Sequence, residues 1–241
     1  MRVLPLPGVF QPLSDSRMLA DHLRRERLGP DVSVLDLCTG SGLLALVAAT
    51  HGASVTAIDV SRRALLSVRA NALLNRVRVT ALRGDLFEPV AGRRFDVIVS
   101  NPPYLPDPDE DLPNRGLERA WNAGARGREF VNRICAEARE HLHPSGALLL
   151  IHSSVCGEQE TLEALTAGGL EPSVIFRHRG PLGPRLASRV DWLRQSGWLL
   201  DGDQEEVIIF RAQARESVAE ALYADSTHFG ARGCRRGTLK A

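Results

Sequence analysis

The stretch VSVLDLCTGSGLLAL, residues 32–46, sets a β-branched run against two glycines and a leucine-rich pattern. Val32–Leu37 reads as the first strand. Leu43 to His51 reads as an apolar helix, stopped by Gly52. The turn between them needs glycine wherever the backbone takes a positive φ or comes close to a ligand. Strand, Gly-rich turn and helix in that order open a βαβ unit.

The same alternation continues outward from this stretch. Ser54–Ile58 is the second strand and closes on Asp59, and Ser61 caps a helix running to about Leu74. Val77–Leu82 is the third strand, followed by Arg83-Gly84-Asp85, and Phe95–Ser100 is the fourth, running into Asn101. Gly127–Leu142 has helical periodicity, and Pro144-Ser145-Gly146 is a turn feeding a fifth strand, Ala147–Ile151. Glu158–Ala167 is a helix stopped by Gly168-Gly169. Val174–Phe176 and Val207–Phe210 are the last strands, read as an antiparallel pair. The pattern predicts an α/β fold: a doubly wound, mostly parallel, seven-stranded Rossmann-like sheet with an antiparallel last strand. Residues 1–30 form an N-terminal leading segment and helix, and 31–211 the domain. Within that domain 178–203 is an inserted excursion with a helix near 186–196, and 212–241 reads as a short helix and a loose tail.

Composition narrows the function classes. The chain has 241 residues, 44% hydrophobic, with 30 basic against 29 acidic side chains and a net charge of +1. That balance disfavours a nucleic-acid binder, whose surface usually carries a marked basic excess. Cys38, Cys135, Cys156 and Cys234 are scattered without a C-x-x-C pair, so neither a metal site nor a disulfide framework is suggested. No apolar run is long enough for a membrane span and prolines interrupt the first residues, which points to a cytoplasmic protein.

Gly40-Ser-Gly42-Leu-Leu-Ala45 fits a dinucleotide fingerprint as well as other nucleotide turns, and a tight turn without a ligand is the bland alternative. Three acids shift the balance. Asp36 ends the first strand, where a carboxylate repels a pyrophosphate and suits a cationic amino-acid ligand. Asp59 ends the second, where an acid holds ribose hydroxyls, and Asp85 follows the third, where it can accept from an adenine amine. All three fall at carboxyl ends of strands, the ligand-binding edge of open α/β sheets. Together they favour a positively charged nucleoside, S-adenosylmethionine.

The fourth strand delivers Asn101-Pro102-Pro103-Tyr104 to the same edge. An amide oxygen and the Pro102 carbonyl are two acceptors on a stiff scaffold, able to grip both hydrogens of a planar –NH2, and the Tyr104 ring can stack on a planar group. A Pro-rich turn with a capping Asn is the bland reading of these four residues taken alone.

LDLCTGSG (35–42), AID (57–59), GDLF (84–87) and VSNPPY (99–104), in this order and spacing, resemble the class I S-adenosylmethionine-dependent methyltransferases. With RGLERAWNAGARGREFVNRICAEAREHLHPSGALLLIHSS (115–154) the chain is similar to the HemK/PrmC family of protein-(glutamine-N5) methyltransferases, which modify the Gly-Gly-Gln loop of release factors. VFQPLSDSRMLADHL (9–23) resembles the short eukaryotic and archaeal branch, which lacks the N-terminal helical domain. The resemblance implies Asp15 and Ser16 near the methionine end of the cofactor, Asp36, Cys38, Gly40 and Gly42 as its cradle, and Asp59 on the ribose. It implies Asp85 and the Leu86 backbone on the adenine, Asn101 at the cofactor as well as the acceptor, and Asn101, Pro102, Pro103 and Tyr104 on the acceptor amide. It further implies a release factor as protein substrate and a small zinc-binding activator protein as partner. Cys38 stands where many relatives have glycine, and 178–203 extends beyond the branch's compact ending.

The expected chemistry is direct in-line transfer of a methyl group to nitrogen, driven by positioning and needing no strong base. His141 and His143 flank a helix end, Cys135 sits in an apolar helical pattern, and Trp192 and Trp198 read as anchors of the excursion. Trp121 and Arg128 suit either active-site wall or packing. An N-methyltransferase for a small molecule or a base amine is the alternative, and a non-catalytic binder has no use for Asn101-Pro102-Pro103-Tyr104. The run from Pro106 to Pro113 reads as a mobile acidic lip.

Overall fold

The structure is a computed structural model and describes residues 1–4, 6–11, 14–108, 112–113, 116–199 and 203–214. Its seven strands are β1 (Ser33–Leu37), β2 (Ser54–Asp59), β3 (Thr80–Arg83), β4 (Phe95–Ser100), β5 (Leu142–Ser153), β6 (Leu170–Pro181) and β7 (Gln204–Ala214). They form one sheet in the order β3-β2-β1-β4-β5-β7-β6, with β7 antiparallel to both its neighbours. This is the expected doubly wound sheet with its antiparallel last strand. The helices are α1 (Ser14–Leu23), α2 (Leu43–Thr50), α3 (Arg62–Leu74), α4 (Glu129–Glu137), α5 (Glu158–Ala167), α6 (Pro184–Ala187) and α7 (Val190–Gln195).

The apolar runs are continuous because both faces of the sheet are covered. Leu35, Leu37, Ile98, Leu148, Leu150 and Phe210 point to one side, where they pack with Val131, Ile134 and Leu165 of α4 and α5. Val34, Val97, Val99, Leu149, Ile151 and Ile209 point to the other, against Leu19 and Leu23 of α1, Val47 of α2 and Val68 of α3. Strand order reverses between β1 and β4, which pair in parallel from Val34↔Val97 to Leu37↔Ser100. The crevice at such a reversal is where open α/β sheets bind ligands.

Several boundaries differ from expectation. The third strand begins at Thr80 rather than Val77, because Val77 N still bonds to Ala72 O at the exit of α3, past Arg76 at φ 57°. The helix predicted over 127–142 is α4 for nine residues and then tightens into a 3-10 turn, Ala138–His141. Pro144-Ser145-Gly146 lies within β5, as an irregularity between the pairs Phe95↔Leu142 and Val97↔Ala147. β6 and β7 extend far beyond their predicted cores and absorb the start of the excursion, leaving α6 and α7 between them. Residues 212–214 are strand, and the rest of the expected tail lies outside the described residues.

The expected mobile lip is anchored at its start. Pro106 and Asp107 are buried, and Asp107 Oδ2 accepts from Asn122 Nδ2 at 2.9 Å and from an Arg189 guanidinium nitrogen at 2.5 Å. Trp192 and Trp198 meet edge to face at 5.2 Å and pack half-buried around Leu186 and Leu193, as the sequence led one to expect.

Gly127 carries the contact that sets the loop after β4. Its φ is 66°, and a Cβ there would stand 2.4 Å from Tyr104 O and 2.9 Å from Pro106 N. Gly127→Ala therefore forces two backbones apart as well as straining its own. It is expected to cost about 1–3 kcal/mol, seen as a fall in melting temperature of roughly 3–10 °C.

Candidate active site

A cavity of about 1000 Å³ opens at the carboxyl edge of the sheet, walled by the ends of β1, β2 and β4, the start of α3 and the segment before α4. Small-molecule sites run to ~300–1,000 Å³, so this one accommodates a nucleoside together with the tip of an acceptor. Cys38, Gly40, Asp59, Asp85, Leu86, Asn101, Pro102, Pro103, Tyr104 and Asp15 all line it. Most of the residues singled out from the sequence are thus brought together by the fold.

The Gly-rich turn divides its labour. Gly40, at φ 55°, faces open space at the cavity, and its N–H donates to Asp59 Oδ2 at 3.0 Å. Gly42 is needed for packing instead, since at φ 87° a Cβ there would meet Val68 Cγ2 at 3.1 Å. Asp36 is fully buried behind the turn and is not on the cavity wall. Its Oδ2 accepts from Thr39 Oγ1 at 2.6 Å and from Ala45 N at 2.9 Å, which ties strand, turn and α2 into one unit. Its other oxygen has no partner. Burial pushes the Asp36 carboxyl up to about 7, against the pull of those two hydrogen bonds.

Cys38 takes φ 56°, a left-handed backbone that favours glycine and strains any other residue. Burial and then the charge of Asp59 hold its thiol well above the usual range, so it is not a thiolate nucleophile. Asp59 also accepts from Ser61 N at 2.8 Å, which joins the end of β2 to the cap of α3. Asp85 shares one oxygen with Arg133 at 2.7 Å.

α1 places Asp15 and Ser16 against the end of β4. Tyr104 Oη donates to Asp15 Oδ2 at 2.8 Å, and Asn101 Nδ2 donates to Ser16 Oγ at 2.9 Å and to Asp15 Oδ2 at 3.3 Å. An ionised carboxylate only accepts, so the NH2 end of the Asn101 amide must face it. The Asn101 oxygen is thereby left as an acceptor with no partner among the described residues. Ser16 is buried behind Asn101 and does not reach the cavity wall. Burial and then Asp15 raise the Tyr104 phenol well above its usual range, so it keeps the proton it donates.

Comparisons with known proteins bear on the family of the chain. The model of the methyltransferase small domain matches residues 1–114. A putative protein N5-glutamine methyltransferase of Methanocaldococcus jannaschii is 33% identical over 176 residues, 73% of this chain and 87% of that protein. The chain belongs to the HemK/PrmC family of protein glutamine methyltransferases. Mouse methyltransferase HEMK2 is 30% identical over 68% of this chain and 80% of its own length. The E. cuniculi Mtq2–Trm112 complex, described as methylating the eRF1 termination factor, shares the fold with a TM-score of 0.60. The match covers 86% of this chain and 99% of that one at 24% identity.

Within this family frame, the structure separates Trp121 from Arg128. Trp121 is cavity wall. Arg128 is buried packing whose guanidinium ends on Cys156 O, Gly157 O (3.0 Å) and Thr161 Oγ1 (3.0 Å). His141 stacks on Phe87 at 4.5 Å and bonds to Arg93 O at 2.9 Å. Sequence reasoning missed several wall residues: Phe10, Arg62, Arg63, Arg119, Phe130, Arg133 and Arg185. It also missed Cys156, whose Sγ donates to Tyr104 O at 2.8 Å. Phe10, Arg119, Phe130 and Arg133 lie inside the stretches that carry the family resemblance, but no spacing there marks them as wall, and each of these residues reaches the site through tertiary packing.

Asp36 gives a test with a defined sign. Its carboxyl titrates at 3.8 ordinarily and at about 7 in the fold, so the folded protein holds the proton more tightly between those values. The resulting stability is complete below the lower value and is lost as pH rises through the upper one. Asp36→Asn, which does not ionise, should gain on the parent by on the order of 2 kcal/mol between about pH 5 and pH 8. Thermal unfolding of both proteins at the two pH values measures this, and a pH-independent difference would contradict it.

Proposed function

We propose that this chain transfers a methyl group from S-adenosylmethionine to the side-chain amide nitrogen of a glutamine in a protein, in the Gly-Gly-Gln loop of a release factor. The observation that carries the reading is the fixed Asn101 amide, its NH2 end held by Asp15 and Ser16 and its oxygen unpartnered beside the cavity. An oxygen acceptor there suits an –NH2 group and not a carbonyl.

The residues present fit the cofactor. Asp59 at the end of β2 can accept from ribose hydroxyls, and Asp85 with the Leu86 backbone can meet an adenine edge. Gly40 lets the backbone come close, and Asp15 lies where the methionine end would pass. Asp36 acts from behind, holding the turn through Thr39 and Ala45. When bound, the cofactor supplies an electrophilic methyl on a sulfonium.

The chain's own residues do the rest. Asn101 Oδ1 and the Pro102 carbonyl accept the two amide hydrogens and aim the nitrogen, while the Tyr104 ring covers the flat face of the amide. An amide nitrogen is a poor nucleophile, so the gain comes from polarised N–H bonds and a near-attack geometry. A nitrogen–carbon bond forms as the sulfur–carbon bond breaks, and the surplus proton leaves to water. A small zinc-binding activator as partner belongs to the same reading, since the E. cuniculi neighbour is in complex with Trm112.

Asn101→Ala should lower the transfer rate by about 10²-fold or more while leaving cofactor affinity nearly unchanged. Labelled S-adenosylmethionine offered with release factors, nucleic acid and a metabolite extract, followed by mass spectrometry, checks this. Label on a Gly-Gly-Gln glutamine that vanishes in Asn101→Ala is the expected result. Label confined to small molecules or bases would overturn the assignment of acceptor.

A further inference from the structure

Residues 182–199, which follow β6, pack as an arm against the rest of the fold. Leu186 and Leu193 are buried with Val155 and Cys156, and Gly183 N donates to Glu205 Oε1 at 2.8 Å. Arg189 donates to Pro106 O at 2.6 Å and to Asp107 Oδ2 at 2.5 Å, which fastens the arm to the loop that follows Tyr104. The arm brings one cation to the cavity wall. Arg185 of α6 lines the cavity together with Trp121, Asn101 and Leu112.

How Arg185 is held distinguishes it from its neighbours. Its guanidinium carbon stands 3.9 Å from the centroid of the Trp121 ring and 5.9 Å from that of Phe10. Stacking fixes the plane of the guanidinium and leaves its five N–H donors free around the rim. No oxygen among the described residues accepts from it. Arg128, Arg133, Arg189 and Arg211, buried or half-buried like it, each end on oxygen: Arg128 on carbonyls, Arg133 on Asp85, Arg189 on Asp107 and Arg211 on Glu26. A half-buried guanidinium on an aromatic platform, with its donors unspent and facing a cavity, is arranged to receive a planar oxyanion.

The charge of the wall points the same way. Arginines at 62, 63, 119, 133 and 185 line the cavity against aspartates at 15, 59 and 85. Asp85 is paired with Arg133, and Asp15 bonds to Tyr104 and Asn101 rather than to Arg185. A sulfonium in the same cavity would add one more positive charge. An acceptor bearing a carboxylate complements that field and a neutral one does not.

We propose that Arg185 is a specificity-determining residue that binds a carboxylate of the acceptor, so that the preferred substrate is an acidic peptide, with an aspartate or glutamate close to the methylated glutamine. The inference rests on the protein-glutamine reading of the site for its choice of peptide. It adds the charge of the acceptor, which that reading leaves open.

Two Gly-Gly-Gln peptides test it, one flanked by glutamates and one by alanines. Their binding is measured by calorimetry with S-adenosylhomocysteine present, and their methylation by label transfer, for the full chain, for Arg185→Met and for Arg185→Lys. Methionine keeps an apolar stem over Trp121 and removes the charge, whereas lysine keeps the charge and loses the fork. In the parent, the glutamate peptide should bind about tenfold more tightly than the alanine peptide. Arg185→Met should abolish that preference by raising KM for the glutamate peptide alone, with kcat within about twofold, and Arg185→Lys should retain part of it. Equal effects of Arg185→Met on both peptides, or no charge preference in the parent, would overturn the proposal. If neither peptide is methylated but the Arg185-dependent binding preference persists, the reaction assignment fails and the carboxylate site stands. If neither peptide binds the parent, the carboxylate site fails.

Discussion

One carboxylate oxygen, Asp15 Oδ2, takes a hydrogen bond from the Tyr104 hydroxyl and another from the Asn101 amide, across more than eighty residues of chain. The site hangs on this contact. A carboxylate has no hydrogen to give, so it dictates which end of the Asn101 amide faces inward and which faces the cavity. The same contact ties α1 to the loop after β4, and α1 in turn packs Leu19 and Leu23 beneath the sheet. The orientation of one small amide thus draws on the hydrophobic anchoring of a whole helix, the kind of support that keeps a binding geometry from relaxing.

Around that contact the fold converts topology into chemistry. Strand order reverses between β1 and β4, so the loops leaving them part and open a crevice. Asp59 braces the crevice by accepting from Gly40 N and Ser61 N, and its carboxylate retains lone pairs for a ligand. Asp36 has the opposite placement, sealed behind the turn with one oxygen unpaired. An ionised carboxylate in that place is costly, so burial raises Asp36 to about 7 despite the hydrogen bonds from Thr39 and Ala45. Strain is stored nearby as well, in Cys38 and Leu86, both non-glycine residues at positive φ on the cavity wall. Such outliers concentrate at functional sites.

The sheet, its order of elements and the acids at its edge were legible because they are local signals: apolar runs, glycine at turns, a serine cap and acids at strand ends. Asn101-Pro102-Pro103-Tyr104 was legible because stiffness, acceptors and an aromatic sit together in four residues. Roles that depend on packing were not. Nothing in the sequence separates Gly40, which faces the cavity, from Gly42, whose missing Cβ makes room for Val68. Asp36 and Asp59 are alike as strand-end acids, and only tertiary burial puts one behind the turn and the other on the wall. Trp121 and Arg128 lie seven residues apart in the same run, and the fold sends one to the cavity and the other into carbonyls beneath it. The segment between β6 and β7 read only as an excursion, since its function comes from where Arg185 and Arg189 land. The anchoring of the lip's start was not legible for the same reason, since Arg189, which holds Asp107, is far away in sequence, and residues 109–111 of the lip lie outside the described residues.

The central claim is that Asn101 presents its oxygen to an acceptor amide because Asp15 and Ser16 hold its nitrogen. The most direct measurement is a crystal structure of the protein with S-adenosylhomocysteine and a glutamine-containing peptide. The account predicts the glutamine –NH2 within hydrogen-bond distance of Asn101 Oδ1, with Asn101 Nδ2 still bonded to Asp15 and Ser16. A glutamine seated elsewhere in the cavity, or an Asn101 amide turned so that its nitrogen faces the acceptor, would contradict it.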